Sequence, residues 1–153
     1  MNNHSDNDLS RDNQQERLKI ASWIVGFVDG EGCFAISIFK NKTTSSGWQV
    51  LPEFVVTQGE KSLSALEEIK NFFKCGRIYV NKRYDNHNEN IYRYCVRAFA
   101  DLNNKIIPFF EINPLRTAKK KDFEKFKAAI QLILSRNHLT KEGIERLIQI
   151  KQS

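Results

Sequence analysis

The first clear hydrophobic pattern in the chain has the spacing of one helix face. Its apolar members are Leu18, Ile20, Ala21, Ile24, Val25 and Val28. Asn13, followed three residues later by Glu16, resembles a helix start, so the pattern predicts a helix over residues 13–29. Residues 1–12 have no apolar periodicity, and we expect them to form a loose arm. The remaining residues, 13–153, are long enough for a single domain with its own core.

The pattern then alternates between the period of a strand and the period of a helix. It predicts strands near 33–39 and 49–58, a helix at 61–74, strands near 77–84 and 91–98, and helices near 101–112, 117–136 and 140–150. This order is α-β-β-α-β-β-α with extra helices at the end. It indicates an α+β fold in which antiparallel hairpins form a sheet and the helices pack on one face.

The opposite face of this sheet is polar, basic and aromatic. Its outward positions are Ser37, Asn41, Gln49, Arg77, Tyr79, Asn81, Arg83, Arg93 and Arg97. A two-stranded ribbon fits the major groove of DNA, where arginine pairs with guanine and asparagine or glutamine with adenine. Lys42 and Thr43, at the tip of the first hairpin, suit phosphates and outer bases. A net charge of +6 agrees with a polyanionic partner.

Two classes of protein are disfavoured by what the sequence lacks. It has no apolar run of 18 residues and no recognisable signal peptide, so we expect an intracellular protein without a membrane span. Cys33, Cys75 and Cys95 are an odd number without a Cys-x-x-Cys pair, which argues against a disulfide framework or a zinc site.

Glycines interrupt the first predicted helix at a regular interval. Ser22, Gly26 and Gly30 recur every four residues and form one stripe with little side chain. Each helical glycine costs about 1 kcal/mol relative to alanine, so the stripe requires a reason. A cap and turn role accounts for Gly30 and Gly32 but not for Gly26. The spacing instead favours the close approach of a second helix backbone.

Two acids lie where the helix ends. A helix C-terminus carries partial negative charge and disfavours Asp29 and Glu31, whereas a divalent cation would reverse that penalty. The segment IVGFVDGEG, residues 24–32, resembles the LAGLIDADG motif of homing endonucleases. The resemblance implies that the motif helices of two subunits pack together through Ser22, Gly26, Asp29 and Gly30, above a curved β-saddle. Asp29, the first acid of the motif, is expected to have mainly a structural role.

The resemblance assigns the catalytic metal to the last acid of the motif. Glu31 is expected to bind a divalent cation together with the Gly30 carbonyl oxygen. Hard oxygen ligands suit Mg²⁺, and Mn²⁺ is expected to substitute. The chain carries one motif, which implies a homodimer, because cutting two DNA strands requires two acid sites.

Three further residues correspond to active-site positions of the family. Gln58 matches a residue that positions the nucleophilic water, although a solvent-exposed glutamine at a strand end is the alternative. Lys119 follows a Pro-Leu step, as the active-site lysine of the family does, and Lys121 is the second choice in this lysine run. Ordinary phosphate contact is the alternative role for either lysine.

The function implied by the resemblance is site-specific cleavage of DNA. A homodimer would bind a long, pseudo-palindromic double-stranded DNA in the major groove. It would hydrolyse both strands across the minor groove and leave short 3′ overhangs. An RNA maturase or a non-cleaving DNA-binding protein on the same scaffold is the alternative, and a basic ribosome-associated protein is a third. Family members are often encoded in introns or inteins, including those of mitochondria and chloroplasts.

Overall fold

The structure, a computed structural model, describes residues 5–85 and 89–153. Its helices are α1 (Ser5–Glu31), α2 (Leu63–Phe73), α3 (Phe99–Asp101), α4 (Ile107–Ile112), α5 (Lys119–Leu134) and α6 (Lys141–Gln152). A π-helical segment, Leu102–Ile106, joins α3 to α4, and short 3-10 helices lie at Glu60–Ser62 and Asn137–Leu139. The strands are β1 (Gly32–Lys40), β2 (Trp48–Gly59), β3 (Arg77–Asn81) and β4 (Ile91–Val96). The order confirms the predicted α+β arrangement.

The strands of the described residues form one open antiparallel sheet in the order β1-β2-β4-β3. In the first pair Gly32 lies opposite Val56, and in the second pair Phe54 lies opposite Val96. Strand β2 is longer than β4, so Pro52 is paired only with Ile36 on β1. Proline has no backbone N–H to donate, and this one-sided position explains how it fits within a long strand.

The core lies between one face of the sheet and the helices. Phe34 on β1 is its aromatic centre, with ring centroids 5.2 to 5.5 Å from Phe54, Phe110, Phe123 and Phe126. These rings come from β2, α4 and α5, and burial of each contributes about 1.5 to 3 kcal/mol. The same cluster contains Ile24 and Val28 of α1. Helices α1 and α5 pack on the same sheet face. There the end of α1 meets the segment before α5, where Thr117 bonds to Asp29.

The expected loose arm at residues 1–12 is wrong for the part that the structure describes, because α1 begins at Ser5 rather than at Asn13. Residues 9–19 are all exposed, so this part of the helix has no apolar face to reveal it in the sequence. Adding residues to an existing helix is far easier than nucleating a new one. The Arg17 guanidinium also packs 4.5 Å from the Phe72 ring centroid. No helix in the described part of the chain is apolar and long enough to cross a bilayer.

The second hairpin is shorter than the sequence predicted. Strand β3 ends at Asn81, which lies opposite Ile91, the first residue of β4. Arg83 therefore lies beyond the sheet, and its predicted outward strand position is wrong. It forms an ion pair with Asp85 at 3.1 Å instead. Residues 86–88, between the two strands of this hairpin, are outside the described residues.

Candidate active site and nucleic-acid face

The carboxylate of Asp29 connects the end of α1 to the segment before α5. It accepts hydrogen bonds from the backbone N–H of Arg116, at 2.9 and 3.2 Å, and of Thr117, at 3.1 Å. The Thr117 hydroxyl donates to it at 2.9 Å. Burial raises the pKa of Asp29, but these hydrogen bonds and the nearby Lys119 charge outweigh it and lower the pKa. The Asp29 carboxylate is thus hydrogen-bonded within its own chain, and its predicted place at a dimer interface stays a prediction.

This connection places a lysine against the motif. The Lys119 ammonium donates to the carbonyl oxygen of Gly32 and lies 3.4 Å from that of Gly30. Glu31 is exposed between these two glycines. Lys121 is also exposed on α5, two positions further along the helix. Of the two candidate lysines, the geometry therefore favours Lys119 as the one beside the acid.

The oxygen atoms at this helix end suit a hard cation. The last carbonyl groups of a helix have no intrahelical partner and carry partial negative charge, and the Lys119 ammonium already contacts that of Gly30. With the Glu31 carboxylate they form the type of donor set that Mg²⁺ prefers. Among the described residues, however, no three His, Cys, Asp or Glu side chains group together to hold a metal ion.

Gln58 lies near this end of the sheet. Val56 is paired with Gly32, the first residue of β1, so Gln58 extends two residues past that pair, level with the end of α1. On its other side it is paired with Tyr92 on β4. Its half-buried side chain has the same parity along β2 as the buried Val56. Strand β2 therefore ends at the edge of the sheet where β1 begins, next to Glu31. The role of Gln58 with water stays a prediction.

The outward sheet face contains the predicted residues of the second hairpin. Arg93 lies opposite Tyr79 on β3 and opposite Thr57 on β2, and Arg77 lies opposite Cys95. Paired residues point to the same face, so the arginines and Tyr79 share one surface. Asn81 on β3 and Ser37 on β1 are exposed on this face, as is Arg97, which lies one residue beyond the end of β4 rather than within the strand as predicted. Their contacts with DNA stay predictions.

The tip of the first hairpin is held by its own polar side chains. The Asn41 side-chain oxygen accepts hydrogen bonds from the backbone N–H of Thr43 at 3.0 Å and from its hydroxyl at 2.7 Å. The Asn41 amide donates to the Gln49 side-chain oxygen at 2.8 Å. Lys42 is exposed in the same loop. Base reading by Asn41 or Gln49 would therefore require these internal bonds to be exchanged.

Glu53 is a feature of this face that the sequence reasoning missed. Its carboxylate lies 3.2 Å from the Arg93 guanidinium and also bonds the Nε of Arg97. Arg97 in turn lies over the Tyr79 ring, 5.3 Å from the centroid. The sequence contained a signal for this network. Glu53 has the outward parity of β2, Arg93 has that of β4, and Arg97 continues the same alternation one residue beyond β4. Both arginines are therefore restrained by Glu53 on the outward face.

The glycine stripe of α1 is open. Ser22, Gly26 and Gly30 are exposed, and a Cβ atom added at either glycine would meet nothing within 4 Å. Packing inside this chain therefore does not account for the two glycines. The predicted approach of a second helix remains consistent with this surface.

Comparison with known proteins gives the same relationship as the motif. Residues 24–130 match the sequence profile of the LAGLIDADG endonuclease family. The "Probable intron-encoded endonuclease 3" of Neurospora crassa is 33% identical over 138 residues, which is 89% of this chain and 25% of that protein. The "Uncharacterized 50.9 kDa protein in ND4 intron 1" of Podospora anserina is 38% identical over 78% of this chain and 25% of its own length. The chain thus spans about a quarter of the length of these curated relatives.

Solved structures agree with the sequence comparison. The homing endonuclease I-TnaI superposes with a TM-score of 0.75 at 39% identity, over 85% of this chain and 84% of that one. I-LtrWI, a LAGLIDADG homing endonuclease bound to target DNA, superposes with a TM-score of 0.78 at 33% identity, over 84% of this chain and 42% of that one. Profile, sequence identity and fold all indicate the same group. The chain belongs to the LAGLIDADG endonuclease family.

Proposed function

We propose that this chain is a DNA-cleaving unit that works in pairs as a metal-dependent, site-specific double-strand endonuclease. The observation that carries the proposal is the contact of Lys119 with the two carbonyl groups that flank Glu31. An acid, a lysine and backbone carbonyl oxygens are thereby brought together at one helix end, next to a basic sheet face. Family membership and the DNA-bound state of I-LtrWI support a duplex substrate.

In this proposal the residues of the helix end divide the chemistry between them. Glu31 and the Gly30 carbonyl oxygen hold Mg²⁺, or Mn²⁺ in its place. A bound divalent cation supplies Lewis acidity and lowers the pKa of a bound water. Lys119 stabilises negative charge that develops on the scissile phosphate, with Lys121 as the second candidate. Gln58 orients the attacking water from the adjacent strand end.

The open glycine stripe of α1 supports pairing of two units. Two copies of the chain would pack α1 against α1 along Ser22, Gly26 and Gly30, which brings both copies of Glu31 close to one two-fold axis. Cations between the two acids would relieve their mutual repulsion. A symmetric pair reads a long pseudo-palindromic duplex, with strand cleavage across the minor groove and short 3′ overhangs. The outward faces of the two sheets would lie in the flanking major grooves.

The test is cleavage of a library of long duplexes in Mg²⁺, with the products sequenced. The unmodified protein is expected to cut both strands of a subset of the library, and Glu31→Gln to bind the same subset without cutting. Glu16→Gln is the matched control, because Glu16 is an exposed acid of the same helix with only a 4.0 Å surface pair to Lys19. Binding without cleavage by the unmodified protein would favour the non-cleaving alternative, and preference for RNA would favour the maturase.

The genetic setting is part of the proposal. The relatives from Neurospora crassa and Podospora anserina are named as intron-encoded or as lying in an intron. We infer that this chain is likewise encoded within an intron, with an organellar genome as its site of action. Mapping the reading frame onto its host gene tests this directly, since a free-standing gene would contradict it.

A further inference from the structure

Glu53 places a carboxylate in the middle of the basic sheet face. It lies on β2 opposite Ala35, and its side chain is only 16% exposed. A negative charge on a surface that meets DNA phosphates opposes binding. The position of Glu53 therefore lowers the affinity for DNA, so its role on this face must be a different one.

The contacts of Glu53 show what that role is. One carboxylate oxygen faces the Arg93 guanidinium at 3.2 Å, and the other bonds Arg97. The hydrogen bond that Arg97 donates to Glu53 raises the pKa of Arg97. Arg97 is further restrained by the Tyr79 ring, 5.3 Å from its guanidinium carbon. One acid thus restrains two long side chains that would otherwise have many rotamers.

These contacts use only part of each guanidinium. Glu53 engages Nε of Arg97 and one terminal nitrogen of Arg93. An arginine has five N–H donors, so each retains donors for a second, planar partner such as the O6 and N7 edge of guanine. The arginine side chains are 36% and 58% exposed, which leaves them accessible to such a partner. Stability alone is a weak explanation, because removing a carboxylate from water costs desolvation energy that offsets much of what its ion pairs contribute.

We propose that Glu53 is a specificity-determining residue, which positions Arg93 and Arg97 for base reading and weakens their attraction to the phosphates of non-target DNA. This inference rests on the proposed function as a DNA-binding enzyme. Glu53 itself acts through the arginines. Its removal should therefore reduce discrimination between sequences while leaving total DNA affinity equal or higher.

The experiment measures binding in EDTA, so that no duplex is cut. A pool of randomised duplexes is selected on the unmodified protein, and the enriched duplex is compared with a scrambled one for Glu53→Gln. We expect the ratio of the two dissociation constants to fall about tenfold, the scale of one lost bidentate contact. Binding of the scrambled duplex should strengthen and become more salt-dependent, because one negative charge is removed.

Glu111→Gln is the matched control. It removes the same charge and an ion pair with Lys127, but on α4, whose Phe110 packs in the core on the other side of the sheet. It should leave the ratio unchanged. A double variant with Arg97→Ala tests the route, since loss of Glu53 should matter much less once Arg97 is absent. If Glu53→Gln folds poorly, Arg97→Lys keeps the charge, removes the planar fork and should give the same loss of discrimination.

The outcomes separate the two proposals. An unchanged ratio in folded Glu53→Gln, with an unmodified protein that selects a sequence, overturns the role of Glu53 alone. Full additivity of the double variant does the same. An unmodified protein that enriches no duplex overturns the proposed function and this inference together.

Discussion

Asp29→Asn offers a sharp test of how α1 and α5 are held together. The wild-type carboxylate accepts two hydrogen bonds from the Arg116 N–H, one from the Thr117 N–H and one from the Thr117 hydroxyl. Asparagine keeps one acceptor oxygen but replaces the other with an NH₂ group. A donor then faces the Arg116 N–H, and the negative charge is lost.

The size of the effect follows from these contacts. Hydrogen bonds to a charged group contribute about 1.5 to 3 kcal/mol when they are buried, and a typical helix-cap substitution costs about 0.5 to 2 kcal/mol. Asp29 is only half-buried, so water satisfies part of what is lost. We therefore expect Asp29→Asn to lower the free energy of unfolding by about 1 to 2 kcal/mol at neutral pH.

The assay is urea unfolding at one fixed protein concentration, because pairing of units would make the midpoint concentration-dependent. Asp12→Asn, an exposed acid on α1, is the control and should change little. The folded-state pKa of Asp29 is lowered from 3.8, so its stabilisation is complete above that value and is lost as the pH falls through the folded-state pKa. The two proteins should therefore converge in acid. Equal midpoints at neutral pH would refute this account of the junction.

Three further substitutions test the site, the stripe and the fold. Lys119→Met should reduce cleavage by about 100-fold or more while DNA binding changes far less, and Lys120→Met should not, as measured by single-turnover kinetics. Gly26→Leu should keep or raise the stability of the helix, by up to about 1 kcal/mol, because the added side chain meets nothing in its own chain. It should abolish pairing in sedimentation, because the same side chain would prevent the close approach of a second helix. Gly76→Ala should lower the unfolding free energy by more than about 1 kcal/mol, because Gly76 has a φ of +78° and an added Cβ would lie 2.6 Å from the Tyr94 ring.

Local patterns predicted most of the fold because its elements bury one face each. Strands β1 and β2 and helix α2 have strong apolar periodicity, and the structure places them within a few residues of the predicted limits. The exception is α1. Residues 9–19 of this helix are all exposed, so burial leaves no pattern there, and the helix extends into them from its buried half.

The candidate site was only half visible in the sequence. The motif identifies Glu31, because the glycines and acids of the proposed metal site are adjacent in the chain. The bond from Thr117 to Asp29 joins residues 88 apart, and the bond from Arg97 to Glu53 joins residues 44 apart. Such pairs depend on how helices dock and on strand register, which periodicity does not determine. The available signal was an acid, Glu53, with outward parity on β2, next to arginines with outward parity at the neighbouring strand β4.

The two acids of the motif thereby have distinct physical roles that depend on each other. Asp29 uses its charge within its own chain, where it fixes the segment that carries Lys119. Glu31 stays exposed beside that lysine, with its charge available to an external cation. Loss of Asp29 should therefore weaken catalysis indirectly, through misplacement of Lys119, whereas loss of Glu31 should abolish it without unfolding the chain. The helix end accommodates Asp29 because backbone N–H groups donate to its carboxylate, and the proposed metal site would offset the charge of Glu31.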